Sequence, residues 1–177
     1  MISYLRFIAS PNKLVHFKRI INVPSRGVGE KTIDKLQEYM LLNNCNILEA
    51  IDIFKENNKT TKTEALLDFK KMIEDLSEAL NTMSLSEFFE YMLEKTGYMA
   101  MLEEEAQLDE VNRIDNIKEF KSILYQLEYD NLEQDLTQAE KLEIGLDELL
   151  LDTSTIDDHA KEGVVLSTIH SVKGLEF

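Results

Sequence analysis

Pro24-Ser25-Arg26-Gly27-Val28-Gly29-Glu30-Lys31-Thr32 decides how this chain is read, because it joins two amphipathic helical patterns through a glycine turn. Leu14, Phe17, Ile20 and Ile21 recur at helical spacing before it, and Ile33, Leu36, Met40 and Leu41 do so after it. Pro24 disfavours helix in the residue that precedes it, so the first helix is predicted to end at or just before Val23. Gly27 and Gly29 permit positive φ and put no Cβ in the way of an approaching surface. The N–H groups of Val28 to Lys31 are then free to point outward where the second helix begins, which suits an anion. Arg26 and Lys31 would flank the turn with charge, and the Thr32 hydroxyl would add a hydrogen bond to the same phosphate. A plain connection between two helices with a glycine stop accounts for these residues equally well, since Gly-x-Gly alone is a weak signal.

Outward from the turn, the rest of the chain reads as helix after helix. Tyr4, Leu5, Phe7 and Ile8 form an apolar face with no capping residue before them, as at the end of a helix begun upstream. Asn46-Ile-Leu-Glu49 is a capping-box start for a short helix carrying Ile47, Ala50, Ile51 and Phe54. Lys55 to Lys62 is polar and reads as a loop. Leu66, Phe69, Met72, Ile73, Leu76 and Leu80 mark a long helix ending near Asn81. Ser84-Leu-Ser-Glu87 opens the next, which Gly97 closes, and Tyr98 to Glu105 is a further short helix. Val111, Ile114, Ile117, Phe120, Leu124 and Leu127 keep three-and-four spacing over about five turns. Leu132 to Leu151 suggests helix again, interrupted or bent near Gly145.

The expected fold is therefore all-α, with one exception at the C-terminus. Residues 153–163 are acidic and lack periodicity, as in a linker, and Val164-Val-Leu-Ser-Thr-Ile169 has the pattern of a strand buried on both faces. A strand with no partner cannot satisfy its backbone hydrogen bonds, so its sheet is expected to lie outside these residues.

The chain has 177 residues, enough for one domain that buries roughly 70% of its unfolded surface. No apolar run reaches the ~20 residues that span a bilayer, so no membrane partner is expected. A single cysteine, Cys45, excludes an internal disulfide and fits a reducing cytoplasm; a small packed side chain explains it best. The net charge of -15 looks hostile to nucleic acid, but its distribution is uneven. Residues 1 to 35 hold seven Lys and Arg against two acids, a balance of +5, and the remaining 142 residues carry -20. Such a segment favours one local anionic contact and repels nucleic acid elsewhere, or else is a solvated basic face with no partner. An acidic helical surface that binds a basic protein is the competing reading.

Val164-Val-Leu-Ser-Thr-Ile-His-Ser-Val-Lys-Gly-Leu-Glu-Phe177 closely resembles the Thr-x-His-x-x-Lys-Gly-Leu-Glu-Phe motif of superfamily 1 DNA helicases of the UvrD, PcrA and Rep type. Tyr4-Leu-Arg-Phe-Ile-Ala9 and Phe17 to Thr32 resemble the opening of that family's 2B subdomain, whose Gly-Ile-Gly turn appears as Gly27-Val28-Gly29. Arg113-Ile-Asp-Asn-Ile-Lys-Glu-Phe120 is similar to a further family segment. The resemblance is looser from about Asn43 to Glu110.

It implies a helical 2B subdomain over residues 1–152, with a helix-hairpin-helix-like turn, a linker over 153–163, and a stub of the RecA-like 2A motor domain over 164–177. It further implies an ATP-dependent 3′-to-5′ helicase that unwinds DNA in repair or replication, in which this region grips the duplex and regulates the motor by swivelling. Arg26, Gly27, Val28, Gly29, Lys31 and Thr32 would touch the duplex near its junction with single-stranded DNA. Thr168 and His170 would lie near the single strand, Lys173 would couple the DNA and nucleotide sites, and Glu176 would reach the ATP ribose. The phosphate-binding loop, the Mg-binding acidic box and the catalytic arginines are absent from these residues, so ATP and Mg would be held by the rest of a longer chain. The isolated chain is expected to have no ATPase activity. Partner proteins in repair or transcription are a further implication.

Weaker constellations point elsewhere. Asp157-Asp158-His159 suggests a metal site, but adjacent residues diverge in direction and no other His or Cys lies nearby in sequence. His16 either adds a phosphate contact or is a half-buried histidine, and Glu103-Glu104-Glu105 reads as a solvated face.

Overall fold

The computed structural model describes residues 1–58, 60–106, 112–130 and 136–152, and these form nine helices. They are α1 (Ile2–Ala9), α2 (Leu14–Ile20), α3 (Glu30–Asn43), α4 (Ile47–Asn57), α5 (Thr61–Leu80), α6 (Leu85–Thr96), α7 (Tyr98–Ala106), α8 (Asn112–Asp130) and α9 (Gln138–Asp152). The all-α expectation holds for these residues, while the C-terminal strand falls outside them, as do the linker and the Asp157-Asp158-His159 cluster.

α5 is the axis. Twenty residues give it a length of about 30 Å, and Leu66, Phe69, Ile73, Leu76 and Leu80 put a continuous apolar stripe on its buried side. α1, α4 and α6 pack along it, α2 lies on α1, α3 on α4, and α8 spans from α6 to α9, which returns to α1. Phe7, Phe17 and Phe69 meet with ring centroids 5.6 to 6.3 Å apart and lock α1, α2 and α5 together. The Tyr4 hydroxyl donates to the carbonyls of Ile20 (3.2 Å) and Val23 (2.7 Å), fastening α1 to the end of α2. At the other end, Arg6 pairs with Asp147 at 2.6 Å and donates to the Leu146 carbonyl, tying α1 to α9.

The capping boxes at Asn46 and Ser84 form as read, each side-chain oxygen accepting from the first-turn N–H groups while the glutamate three residues on reaches back. Gly97 ends α6 in the left-handed region at φ 73°. Two expectations are corrected. The polar loop is shorter than Lys55 to Lys62, because α4 runs on to Asn57 and α5 begins at Thr61, and the side chains of Asn57 and Asn58 donate back to the Ile53 and Phe54 carbonyls. Gly145 does not interrupt α9. It is a notch, since a Cβ there would lie 2.1 Å from Leu127 Cδ2, so only a glycine lets α8 and α9 approach this closely. A further box, Thr137-Gln-Ala-Glu140, opens α9: Glu140 accepts from the Thr137 N–H at 2.9 Å and from its hydroxyl at 2.7 Å.

Candidate nucleic-acid interface

Between α2 and α3 the chain crosses from Ile21 to Gly29 with little regular hydrogen bonding, and one side chain organises it. Asn22 Oδ1 accepts from the N–H of Val28 at 3.0 Å and of Arg26 at 3.4 Å, while its Nδ2 donates to the Val28 carbonyl at 2.6 Å. Asn22 therefore acts as a backbone surrogate that closes the turn on itself. Val28 is 1% exposed and plugs into the core, so the loop is anchored at its centre. The two glycines differ. Gly27 sits at φ 69°, where a side chain is strained, but Gly29 sits at φ -76° and ψ 162°, which any residue adopts. Gly29 thus does not use the positive φ that a glycine permits. A Cβ at either position would meet nothing within 4 Å.

Gly29 is the N-cap of α3 and supplies no capping side chain. The Val28 N–H is taken by Asn22, and the Thr32 N–H by the Gly29 carbonyl at 2.9 Å. The N–H groups of Gly29, Glu30 and Lys31 have no acceptor among the described residues, at the positive end of a helix of 14 residues. Lys31 is exposed. Thr32 is buried, so its side chain faces the core instead of the open end of the helix.

Arg26 departs most from the sequence reading. Its side chain turns inward: Nη1 donates to the carbonyls of Pro24 (3.0 Å), Ile20 (3.3 Å) and Ile21 (3.4 Å), and Nη2 to the Thr96 carbonyl at 3.2 Å. The cause is local electrostatics. Ile20, Ile21 and Thr96 stand at the C-terminal ends of α2 and α6, whose last carbonyls carry partial negative charge and lack helical partners. The expectation that Arg26 flanks the turn as an outward cation is corrected accordingly.

The outward charge comes from other residues. Lys13, Lys18, Arg19, Lys31 and Lys35 are exposed, and none of them is ion-paired among the described residues. Lys18 reaches Gln37 on α3 at 3.2 Å, which brings the basic end of α2 beside α3, and Lys31 and Lys35 share one face of α3. His16 is half-buried among these cations. Burial, and then the charges of Arg6, Lys13 and Arg19, hold its pKa below the ordinary imidazole value. Thr168, His170, Lys173 and Glu176 lie outside the described residues. Among the described residues no group of three or more His, Cys, Asp or Glu is placed to hold a metal ion, and no helix is long and apolar enough to cross a membrane.

The model of the UvrD-like helicase C-terminal domain matches residues 1–177. The chain is 36% identical over 180 residues to the ATP-dependent DNA helicase PcrA of Staphylococcus aureus strain NCTC 8325 / PS 47, covering 100% of this chain and 24% of that protein. It is 34% identical over 180 residues to the protein of the same name from Staphylococcus epidermidis strain ATCC 12228 / FDA PCI 1200, with the same coverage. The chain thus spans about a quarter of the length of the curated relatives it matches. With the whole of its length matched, the chain belongs to the UvrD-like helicase C-terminal domain family.

Proposed function

We propose that this chain is the helical 2B region of an ATP-dependent 3′-to-5′ DNA helicase of the UvrD/PcrA type, adjoining part of its second motor domain. Within that helicase it holds the duplex ahead of the junction with single-stranded DNA and biases the motor by its orientation. ATP and Mg act in the rest of the longer protein, which works in the cytoplasm in DNA repair or replication, with Thr168, His170, Lys173 and Glu176 serving the motor. The grip on DNA runs through Gly29 to Lys31: open N–H groups of Gly29, Glu30 and Lys31 against one phosphate, and the ammonium of Lys31 beside it. Lys18, Arg19 and Lys35 extend the contact along the duplex backbone.

The observation that carries the DNA contact is Gly29. The fold accepts a side chain there, both by its dihedrals and by the empty space around the missing Cβ. A glycine is useful at such a point when another surface comes close to the backbone. Contacts of this kind carry no base information, so binding is independent of sequence and sensitive to salt. With roughly four phosphates neutralised, log K falls against log[salt] with a slope of about -3 to -4. Anisotropy titrations of a labelled duplex bearing a 3′ single-stranded tail, run over a range of salt, test this; binding without salt dependence, or none at low salt, overturns it.

A second reading has one observation in its favour. Leu41 and Leu42 are 77% and 73% exposed at the C-terminal end of α3, beside Asp34 and Glu38, a combination suited to a basic, apolar protein segment. An interaction module of that kind shows no salt-sensitive duplex binding in the same titration.

A further inference from the structure

We infer that Arg26 is a positioning residue of the duplex interface, which sets the glycine turn by gathering the ends of two helices, and is not one of its phosphate contacts. The inference rests on the duplex-contact reading above.

A single guanidinium joins three parts of the fold. Its Nη1 reaches the last carbonyls of α2 and the Pro24 carbonyl of the turn itself, at 3.0 to 3.4 Å. Its Nη2 reaches the Thr96 carbonyl, 70 residues away at the end of α6, and comes within 3.8 Å of Met72 Sδ on α5. The guanidinium carbon lies over the Phe69 ring, 5.4 Å from its centroid. The turn touches the same helix end a second time, because the Cβ position of Gly97 lies 3.8 Å from Pro24 Cγ. The turn is therefore seated on the C-terminus of α6, with Arg26 as the bolt.

Three consequences follow from chemistry. Nη1 is shared among three carbonyls and Nη2 is held by the Thr96 carbonyl and Met72 Sδ, so a phosphate that recruits either nitrogen competes with the seat. The guanidinium releases no counterion on DNA binding if it meets no phosphate. A lysine keeps the charge but not the planar fork, and cannot serve carbonyls on both helices while stacking on a ring.

Salt-dependent anisotropy separates these roles, using the 177-residue chain, Arg26→Ala, Arg26→Lys and Lys31→Ala, at a temperature where circular dichroism shows all four folded. Lys31→Ala reduces the magnitude of the salt slope by about 0.9, as loss of one phosphate contact must. Arg26→Ala and Arg26→Lys weaken binding about three- to tenfold with the slope unchanged, because the loop must be ordered at the moment of binding. If Arg26→Ala lowers the slope as Lys31→Ala does and Arg26→Lys restores it, Arg26 is a phosphate contact and the inference is overturned. Unchanged affinity in both Arg26 variants overturns it as well, leaving a purely structural side chain. Should Arg26→Ala not fold, Arg26→Lys decides alone, since a phosphate contact survives that exchange and a seat does not. Failure of the duplex-contact reading looks different: the unsubstituted chain then shows no salt-sensitive binding.

Discussion

The guanidinium of Arg26 lies over the face of Phe69, and Phe69 meets Phe17 edge-on with centroids 5.6 Å apart. A cation that would be expected to face solvent is thus stacked on the aromatic cluster that joins α1, α2 and α5. Replacing it removes a cation–π contact worth about 1 kcal/mol and hydrogen bonds from a charged donor worth about 1.5 to 3 kcal/mol. Arg26→Ala is expected to lower the stability of the domain by about 2 to 4 kcal/mol in urea unfolding. A loss under about 0.5 kcal/mol, the scale of an ordinary surface substitution, would refute the inward, bonded role.

Gly29 offers the opposite test, in which function and stability separate. Its dihedrals are those of an N-cap that accepts a side chain, and α3 lacks a capping side chain. Asp at this position caps the first turn and interacts favourably with the helix dipole, so Gly29→Asp is expected to raise stability by a few tenths of a kcal/mol. The same carboxylate stands where a phosphate would sit and repels it, so duplex affinity falls. Thermal unfolding and anisotropy on one preparation give both readouts, and a variant that gains stability and keeps full affinity sinks the phosphate site at this turn.

Gly145 and Leu127 make another pair. In most helix interiors Gly→Ala stabilises by about 1 kcal/mol. Here the added methyl falls 2.1 Å from one Leu127 methyl and 2.6 Å from the other, and Leu127 is itself buried. Gly145→Ala is therefore expected to destabilise by about 1 to 3 kcal/mol, the usual cost of overpacking. Leu127→Ala opens the space the new methyl needs, so the double variant should be more stable than the two single losses added together. Strict additivity in a double-mutant cycle would show that the notch is not shared.

Much of this fold is written in local rules. Capping boxes at Asn46 and Ser84, the glycine stop at Gly97 and the apolar stripes of α5 and α8 depend on neighbours within four residues, and the sequence displays them directly. What escapes is whatever depends on distant partners. Gly145 looks like a helix breaker until Leu127 is known to lie against it, and Arg26 looks like a free cation until Thr96 and Phe69 are known to surround it. Asn22 and the Thr137-x-x-Glu140 box differ from these, because both are short-range patterns whose partners lie within six residues in the sequence.

His16 joins the pH behaviour of the domain to the proposed DNA contact. Its Nδ1 is buried with no partner among the described residues, and burial, with Arg6, Lys13 and Arg19 nearby, lowers its pKa from the ordinary 6.5. Above that value the imidazole is neutral in both folded and unfolded chains, and the native state carries no penalty. As pH falls below it the unfolded chain takes up the proton first, so stability declines until the folded-state pKa is passed. The carboxylates of Glu87 and Glu140, lowered from 4.5 by bonds from Ser84 and Thr137, contribute a separate decline only in more acidic solution. His16→Gln should therefore flatten the stability profile in the window that opens below the ordinary imidazole pKa, while leaving the acid limb intact. Duplex phosphates among the same cations would favour the imidazolium and raise its pKa. Affinity should then grow as pH falls through this window in the unsubstituted chain, and should stay level in His16→Gln. An identical pH dependence of binding in both would place the duplex away from α2.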